Sequence, residues 1–319
     1  MLKNKKITVI VPHRISGFFE IVDQTKEGIK ITNPERIGST GAGFNLSAVG
    51  KTNIEIERGN DIPEIECKIY INNTKLNQKA ETTYFIFDYI RKLINRPVKI
   101  KISHNFDLPV GCGYGASGSG ALGTIFGLDF LLNLNLSQNE KGKIAHIAEV
   151  INKTGLGTVC GQLSGGLCVL KKPGFPCVAE QINTPKNLRV ICGTFGMIPT
   201  KSILTSETLS KKIKIAGRKA LMKVLAEKSI KSFLKASIEF VEETDILNAL
   251  NLTKTLQLME NLNKLNILGA SMNQLGRSIF ACCKETEVNK VLEVFDCFKP
   301  EIETYNLYIN KNKPIFLKK

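Results

Sequence analysis

Hydrophobic and polar residues alternate along this chain in two rhythms. Near the start, Ile7–Val11 is a β-branched run closed by Pro12, which predicts a strand delivering His13, Arg14 and Ser16 at its end. Residues 52–58 and 65–71 alternate in steps of two, as half-buried strands do, and Asn72-Asn73 reads as a turn. Tyr84, Phe85, Phe87, Ile90 and Leu93 then recur at helical spacing before Pro97, and Val98–Ser103 returns to strict alternation. An apolar helix follows from Ala121 to Leu134, and Ser137-Gln-Asn-Glu140 is a capping box opening a helix through Ile151. Leu167–Leu170 and Leu188–Phe195 read as strands, with the best internal boundary between them at Lys171–Pro176. Gly196–Leu204 reads as a loop and residues 205–265 as helices with lysine-rich outer faces. Asn266–Gly276 breaks that pattern, and Ser278–Cys283 is apolar again. A short helix at 287–298 and strands near 302–309 and 314–317 complete the chain. The fold class is α+β in two mixed lobes, residues 1–180 and 181–319, without internal repeats.

The densest chemistry lies between Pro109 and Leu122, where Gly111, Gly113, Gly115, Gly118 and Gly120 alternate with Ser117 and Ser119. Glycine tolerates positive φ and lets a ligand approach the backbone. A glycine loop feeding a helix N-terminus offers unpaired N–H groups and the positive end of the helix dipole, a combination that suits phosphate. Gly113-x-Gly115-x-x-Gly118 matches the dinucleotide fingerprint literally, but no strand runs directly into it, and Asp129 in the following helix is the only acid in range. A Walker A loop needs a Gly-Lys-Ser/Thr that is absent. A flexible surface loop is disfavoured by the Pro-Val and Ala-Leu brackets. The stretch reads as a nucleoside triphosphate cradle.

Elsewhere polar groups admit plainer readings. His13-Arg14 taken alone is a solvated turn, Gly38–Gly43 is either a hairpin turn or a second anion-contacting turn, and Glu149 is an ordinary helix carboxylate. A third glycine-rich stretch runs from Gly155 to Gly166.

The formal charge of +15 comes mostly from dispersed lysines, no basic run exceeds Lys3–Lys6, and Trp is absent. Nucleic-acid binders concentrate such charge, so it reads as a solvated surface that attracts anionic substrates, with no nucleic-acid partner. Nine cysteines without a CxxC pair, and three histidines without ligands at metal spacing, read as reduced buried thiols rather than disulfides or zinc. Ile7–Val11 is too short for a signal sequence and 121–134 too short to span a membrane, so a soluble cytoplasmic protein is expected.

Three motifs stand in a telling order: Pro12-His-Arg-x-Ser-Gly17, Pro109-x-x-x-Gly-x-Gly-x-Ser-Gly118 and Gly269-Ala-Ser-Met-Asn-Gln-Leu-Gly276. This order resembles the GHMP small-molecule kinases. Gly17-Phe-Phe-Glu20, Gly38-Ser-x-Gly-Ala-Gly-Phe44, Ala145-His-x-Ala-Glu149, Thr154-Gly-Leu-Gly157 and Gln162-x-x-Gly-Gly166 most resemble the archaeal pantoate kinases among them. The resemblance spans nearly the whole chain and implies a two-lobed fold with ATP and substrate in the cleft between the lobes. It implies that Pro109, Gly111, Gly113, Gly115, Ser117, Gly118, Ser119 and Gly120 hold ATP. Ser117, or Ser119, and Glu149 would hold Mg²⁺, while His13, Arg14, Ser16 and Ser39 would line the pantoate pocket, with turn N–H groups at Gly38–Gly43 receiving the carboxylate. The activity implied is phosphorylation of (R)-pantoate to 4-phosphopantoate in coenzyme A synthesis, with a homodimer plausible. The alternatives are another small-alcohol substrate of homoserine or mevalonate type, or a nucleotide-binding paralogue with little catalysis. Three positions depart from the family pattern: Thr158 stands where many members carry a candidate catalytic aspartate, and Thr40 and Leu170 where basic residues are common.

Overall fold

A computed structural model describes residues 5–59, 62–198 and 206–318, with the backbone alone for 315–318. Its spine is a pair of long antiparallel strands, β1 (Lys5–Val22) and β2 (Gly38–Glu57). β1 does not end at Pro12. The register shifts between Pro12 and Arg14, and again between Ser16 and Phe18. A bulge needs no ladder N–H from proline, so the strand runs on through it. Gly38–Gly43, expected as a turn, is the opening of β2. A side chain at Gly41 or Gly43 would run into the carbonyls of Phe18 and Ile15, so glycine here lets two bulged strands approach closely.

Around this pair the first sheet runs β12–β1–β2–β5–β3–β4, where β3 is Glu66–Ile71, β4 Thr74–Lys75, β5 Lys99–Phe106 and β12 Ile315–Lys318. Strand β6 (Leu167–Leu170) lies beside Gly41–Phe44 of β2 and carries β7 (Ala179–Ile182) on its other edge. Asn72 and Asn73, with φ of 45° and 67°, make the β3–β4 turn, as their left-handed tolerance allows. The second sheet, β11–β8–β10–β9, is built from β8 (Leu188–Thr194), β9 (Gly269–Asn273), β10 (Ser278–Lys284) and β11 (Glu303–Leu307).

Two apolar cores result. Helices α1 (Glu81–Arg91), α2 (Ala116–Leu132) and α3 (Gln138–Asn152) cover the first sheet, burying Ile125 and Phe126 with Ile7, Val9, Ile54 and Ile102. α2 is buried nearly all round; its Asp129 is matched by Lys141 of α3 at 2.8 Å, both sparingly exposed. The capping box of Ser137 and Glu140 forms as expected. After the short α4 (Thr158–Ser164), α5 (Glu207–Ala226) packs on β1 and β2, while α6 (Ile230–Thr244), α8 (Thr253–Asn263) and α9 (Val288–Asp296) pack on the second sheet, with the short α7 (Ile246–Ala249) between α6 and α8. There Phe44 meets Phe233 and Phe280 at centroid distances of 5.8 and 5.5 Å, edge to face, and Phe18 tilts onto Phe233. The first half of β1 belongs to one core and the second half to the other.

One expectation about cysteine fails. Cys160 on α4 and Cys177 are joined by a disulfide, with Cα atoms 5.4 Å apart; seven other cysteines are free. A separation of 17 residues has no motif to betray it; only the fold brings α4 against the loop after β6. No helix among the described residues is long and apolar enough to cross a membrane.

Candidate active site

A cleft of about 430 Å³ opens at the middle of β1 and the start of β2, roofed by the glycine loop and the turn after α3. In the loop, Gly111, Gly113 and Gly115 adopt φ of 79°, 84° and 67°, a left-handed run that only glycine accepts freely. Gly115 is the N-cap of α2, so Ser117, Gly118, Ser119 and Gly120 lie in its opening turns and not in the loop. No side chain caps this helix and no acid stands in its first turn, which leaves its leading N–H groups unmatched. The arrangement has the geometry of an anion cradle. Val110, Gly111, Gly113, Gly115 and Ser117 line the cleft; Pro109, Gly118, Ser119 and Gly120 stand behind. Ser119 is fully buried, its hydroxyl donating to the Val11 carbonyl at 3.2 Å.

The loop is held from three directions. Ser278 Oγ donates to the Cys112 carbonyl at 2.8 Å, and Gly276 keeps the approach clear, since a Cβ there would strike that carbonyl. Gln162 Nε2 donates to the carbonyls of Gly115 and Pro12 at 3.0 and 2.9 Å. His13, expected in the substrate pocket, instead braces the loop. The Leu108 N–H donates to its Nε2, so Nδ1 carries the proton and donates to the Tyr114 carbonyl at 2.9 Å. Burial lowers the imidazole pKa to about 4, so it stays neutral. Sequence reasoning noted the stretches holding Gln162 and Ser278 but gave neither residue a role. A side-chain amide or hydroxyl reaching a distant carbonyl has no local signature.

Glu149 is the buried acid of the site. Ser117 Oγ donates to its Oε1 at 2.6 Å, and burial raises its pKa to about 7 against these hydrogen bonds. Gly155 lies flat on the carboxylate: a Cβ there would sit 2.6 Å from Oε2. Ser117 and Glu149 together present hard oxygen donors beside the anion cradle, a set that fits Mg²⁺. Among the described residues no cluster of three His, Cys, Asp or Glu exists, so the remaining ligands of such an ion would be phosphate oxygens and water.

Opposite the glycine loop, Arg14, Ser16, Ser39 and Thr40 line the cleft. Arg14 is 2% exposed, its Nη1 donating to Asn45 Oδ1 at 3.4 Å, and it forms no ion pair among the described residues. It lies across Gly161, where any side chain would collide with the guanidinium. A buried, unpaired guanidinium in a cleft wall calls for an anion. The strand geometry of Gly38–Gly43 directs its peptide groups into pairing: the Ser39 N–H donates to the Leu156 carbonyl and Gly41–Phe44 pair with β6. Arg14 is therefore the wall's buried cation, with the charge to receive an anion. Thr158 and Leu170 line the cleft too; the Thr158 methyl faces Gly115 and Gly118. Lys153, an exposed cation at the rim that sequence reasoning missed, completes the lining, and no carboxylate occurs in its described part.

Residues 81–166, which contain the glycine loop, α2 and Glu149, match the model of the GHMP kinases N terminal domain. The pantoate kinase of Methanocaldococcus jannaschii is 32% identical over 292 residues, 90% of this chain and 96% of that protein. The pantoate kinase of Thermococcus kodakarensis is 29% identical, covering 96% of this chain and 97% of its own. A solved phosphotransferase related to the CoA biosynthesis pathway superposes with a TM-score of 0.83 at 27% identity, over 98% of this chain and 99% of the other. Mevalonate diphosphate decarboxylase from Enterococcus faecalis shares the fold, with a TM-score of 0.71 at 14% identity over 99% and 100% of the two chains. Kinship to the Methanocaldococcus protein over nine-tenths of the chain, with the glycine loop seated in the GHMP domain, places this protein in the pantoate kinase family of the GHMP kinases.

Proposed function

We propose that this protein transfers the γ-phosphoryl group of ATP to the primary hydroxyl of (R)-pantoate, giving 4-phosphopantoate for coenzyme A synthesis. The carrying observation is one cleft with an uncapped, glycine-led helix N-terminus on one side and, on the other, a buried arginine without an ion pair among the described residues. The first binds the phosphates of ATP; the second binds the carboxylate of a small hydroxy acid.

Glycine-loop N–H groups hold the phosphates, and Ser117 and Glu149 would hold Mg²⁺, which neutralises phosphate charge when bound. Arg14 fixes the pantoate carboxylate, aided by the hydroxyls of Ser16 and Ser39, and so turns the primary hydroxyl towards the phosphates. Thr158 supplies no base, and Glu149, 1% exposed, stands behind Ser117. Transfer then rests on alignment and charge neutralisation, which a loose, metaphosphate-like transition state chiefly requires. Lys153 adds positive charge at the rim.

The test is ADP release from Mg·ATP with (R)-pantoate, beside homoserine and mevalonate, for the native chain and Thr158→Asp. Robust native turnover restricted to pantoate is the expected result. Turnover on another alcohol alone, or in the variant alone, refutes the proposal.

A further inference from the structure

Arg14 and Leu170 stand on one face of the first sheet, although they belong to different strands. Arg14 lies opposite Asn45 and Ser16 opposite Gly43 on the β1 side of β2, while Leu170 of β6 lies opposite Gly41 on its other side. Alternate residues of a strand share a face, and directly opposed partners share it with them. Gly41, Gly43 and Asn45 therefore put Arg14, Ser16 and Leu170 on the same side of the sheet, and all three line the cleft. Gly41 and Gly43 leave the floor between them bare.

The helix α4 lies against that face and draws the two side chains together. A side chain at Gly161 would collide with the Arg14 guanidinium, and one at Gly157 would meet Leu170 Cδ1 at 2.9 Å and Ser39 Oγ at 2.4 Å. The Gly161 N–H donates to the Gly157 carbonyl at 3.1 Å, so the two glycines are one turn apart. Residues so spaced lie on one side of a helix, about 6 Å from each other. Guanidinium and leucine methyl thus converge along a single turn. Leu170 is 5% exposed and backed by Cys160 and Cys168, which makes it a firm apolar wall. On the other flank of the α4 start, the Thr158 methyl faces the glycine loop at Gly115 and Gly118.

Pantoate carries its two methyl groups on C3, two bonds from the carboxyl carbon. A carboxylate hydrogen-bonded to Arg14 sets C3 about 6 Å from the guanidinium, level with Gly157 and Leu170. Because C3 also carries C4, a methyl group against Leu170 turns the primary hydroxyl towards the glycine loop. Resting on the pantoate reading above, we propose that Leu170 is the specificity determinant for C3 of the substrate, packing against its geminal methyl groups. The site thereby selects 2,4-dihydroxy acids branched at C3 over unbranched ones. Leu170 touches no reacting atom; it buries the branch and fixes which way C4 points.

The experiment compares native protein, Leu170→Ala and Leu170→Val on three acids of the same configuration at C2: pantoate, 2,4-dihydroxybutanoate and 3,3-diethyl-2,4-dihydroxybutanoate. Ratios of kcat/KM between acids do not depend on the folded fraction of a preparation, and ratios of Kd by calorimetry do not depend on turnover. Native protein should prefer pantoate to the unbranched acid by about 10- to 100-fold, the discrimination an apolar pocket achieves against missing carbons. It should reject the diethyl acid, for which the wall leaves no room. Leu170→Ala should narrow the first gap about 10-fold and prefer the diethyl acid to pantoate, and Leu170→Val should move both ratios the same way by about 3-fold. A residue that only held the fold together would change neither ratio. Equal native use of pantoate and the unbranched acid, ratios unchanged in both variants, or rejection of the diethyl acid by Leu170→Ala overturns the inference. Kd ratios that follow the pattern without turnover sustain it while refuting the kinase reading; binding of none of the acids defeats both.

Discussion

Ser117 donates its hydroxyl proton to Glu149 at 2.6 Å, from the first turn of α2 to the last turns of α3. This bond ties the phosphate end of the cleft to its buried carboxylate, and burial raises that carboxyl to about 7. The folded chain thus prefers the protonated form. The stability Glu149 contributes is full below its ordinary 4.5 and is lost as pH rises through 7, about 3 kcal/mol in all. Glu149→Gln should therefore unfold in urea about 2–3 kcal/mol later than the native chain at pH 8 without ligands, and alike at pH 4.5. Its turnover should fall about 10²- to 10³-fold, the loss expected for an electrostatic group at the reacting phosphates. Equal stability at pH 8 would contradict this account of the acid.

Arg14→Met removes the guanidinium but keeps apolar bulk against Gly161. A hydrogen bond to a charged group contributes about 1.5–3 kcal/mol, so KM for pantoate should rise about 10- to 100-fold. KM for ATP should change little. A neutral pantoate amide should lose far less than the acid, and equal losses on both would remove Arg14 from carboxylate binding.

Acid should weaken the fold through two buried histidines. His13 braces the glycine loop, and His104 lies between Thr52 and Thr83; burial lowers each to about 4. Neutral imidazole is favoured in the fold, so the stability is intact above the ordinary 6.5 and is lost as pH falls from there to about 4. In the Glu149→Gln background, which removes the opposing gain of that acid, urea titrations at pH 7 and pH 4.5 should differ by about 2–3 kcal/mol per histidine. His104→Asn should flatten part of that slope.

Alkylation of the unfolded, unreduced chain should label seven cysteines, and all nine after reduction. Closing a loop of 17 residues restricts the unfolded chain, so reduction should lower stability by about 3 kcal/mol. Nine labelled cysteines before reduction would show that the pair stays open.

Much of this was legible because it is local. The capping box at Ser137, the Asn72-Asn73 turn and the strand at Leu167–Leu170 each carry their cause within a few residues. The glycine loop leading into a helix N-terminus is local in the same way. What escaped depends on distant partners. Pro12 and Gly38–Gly43 look like breaks until β1 and β2 are paired, when they become bulges and close approaches. His13 looks like a pocket residue until Leu108 and Tyr114 are brought to its two nitrogens. The Cys160–Cys177 bridge and the contact of Arg218 with Glu20, 198 residues away, are likewise products of the fold.

Because β1 and β2 run unbroken through both cores, the two halves of the molecule share one backbone ladder. Swinging them apart like jaws would tear that ladder at the cleft floor, which confines any opening of the site to the lining residues off the ladder, Gly111, Met197 and Lys153 among them. The same continuity couples the cores mechanically: pulled or heated, neither half should melt ahead of the other, and calorimetry should record a single transition.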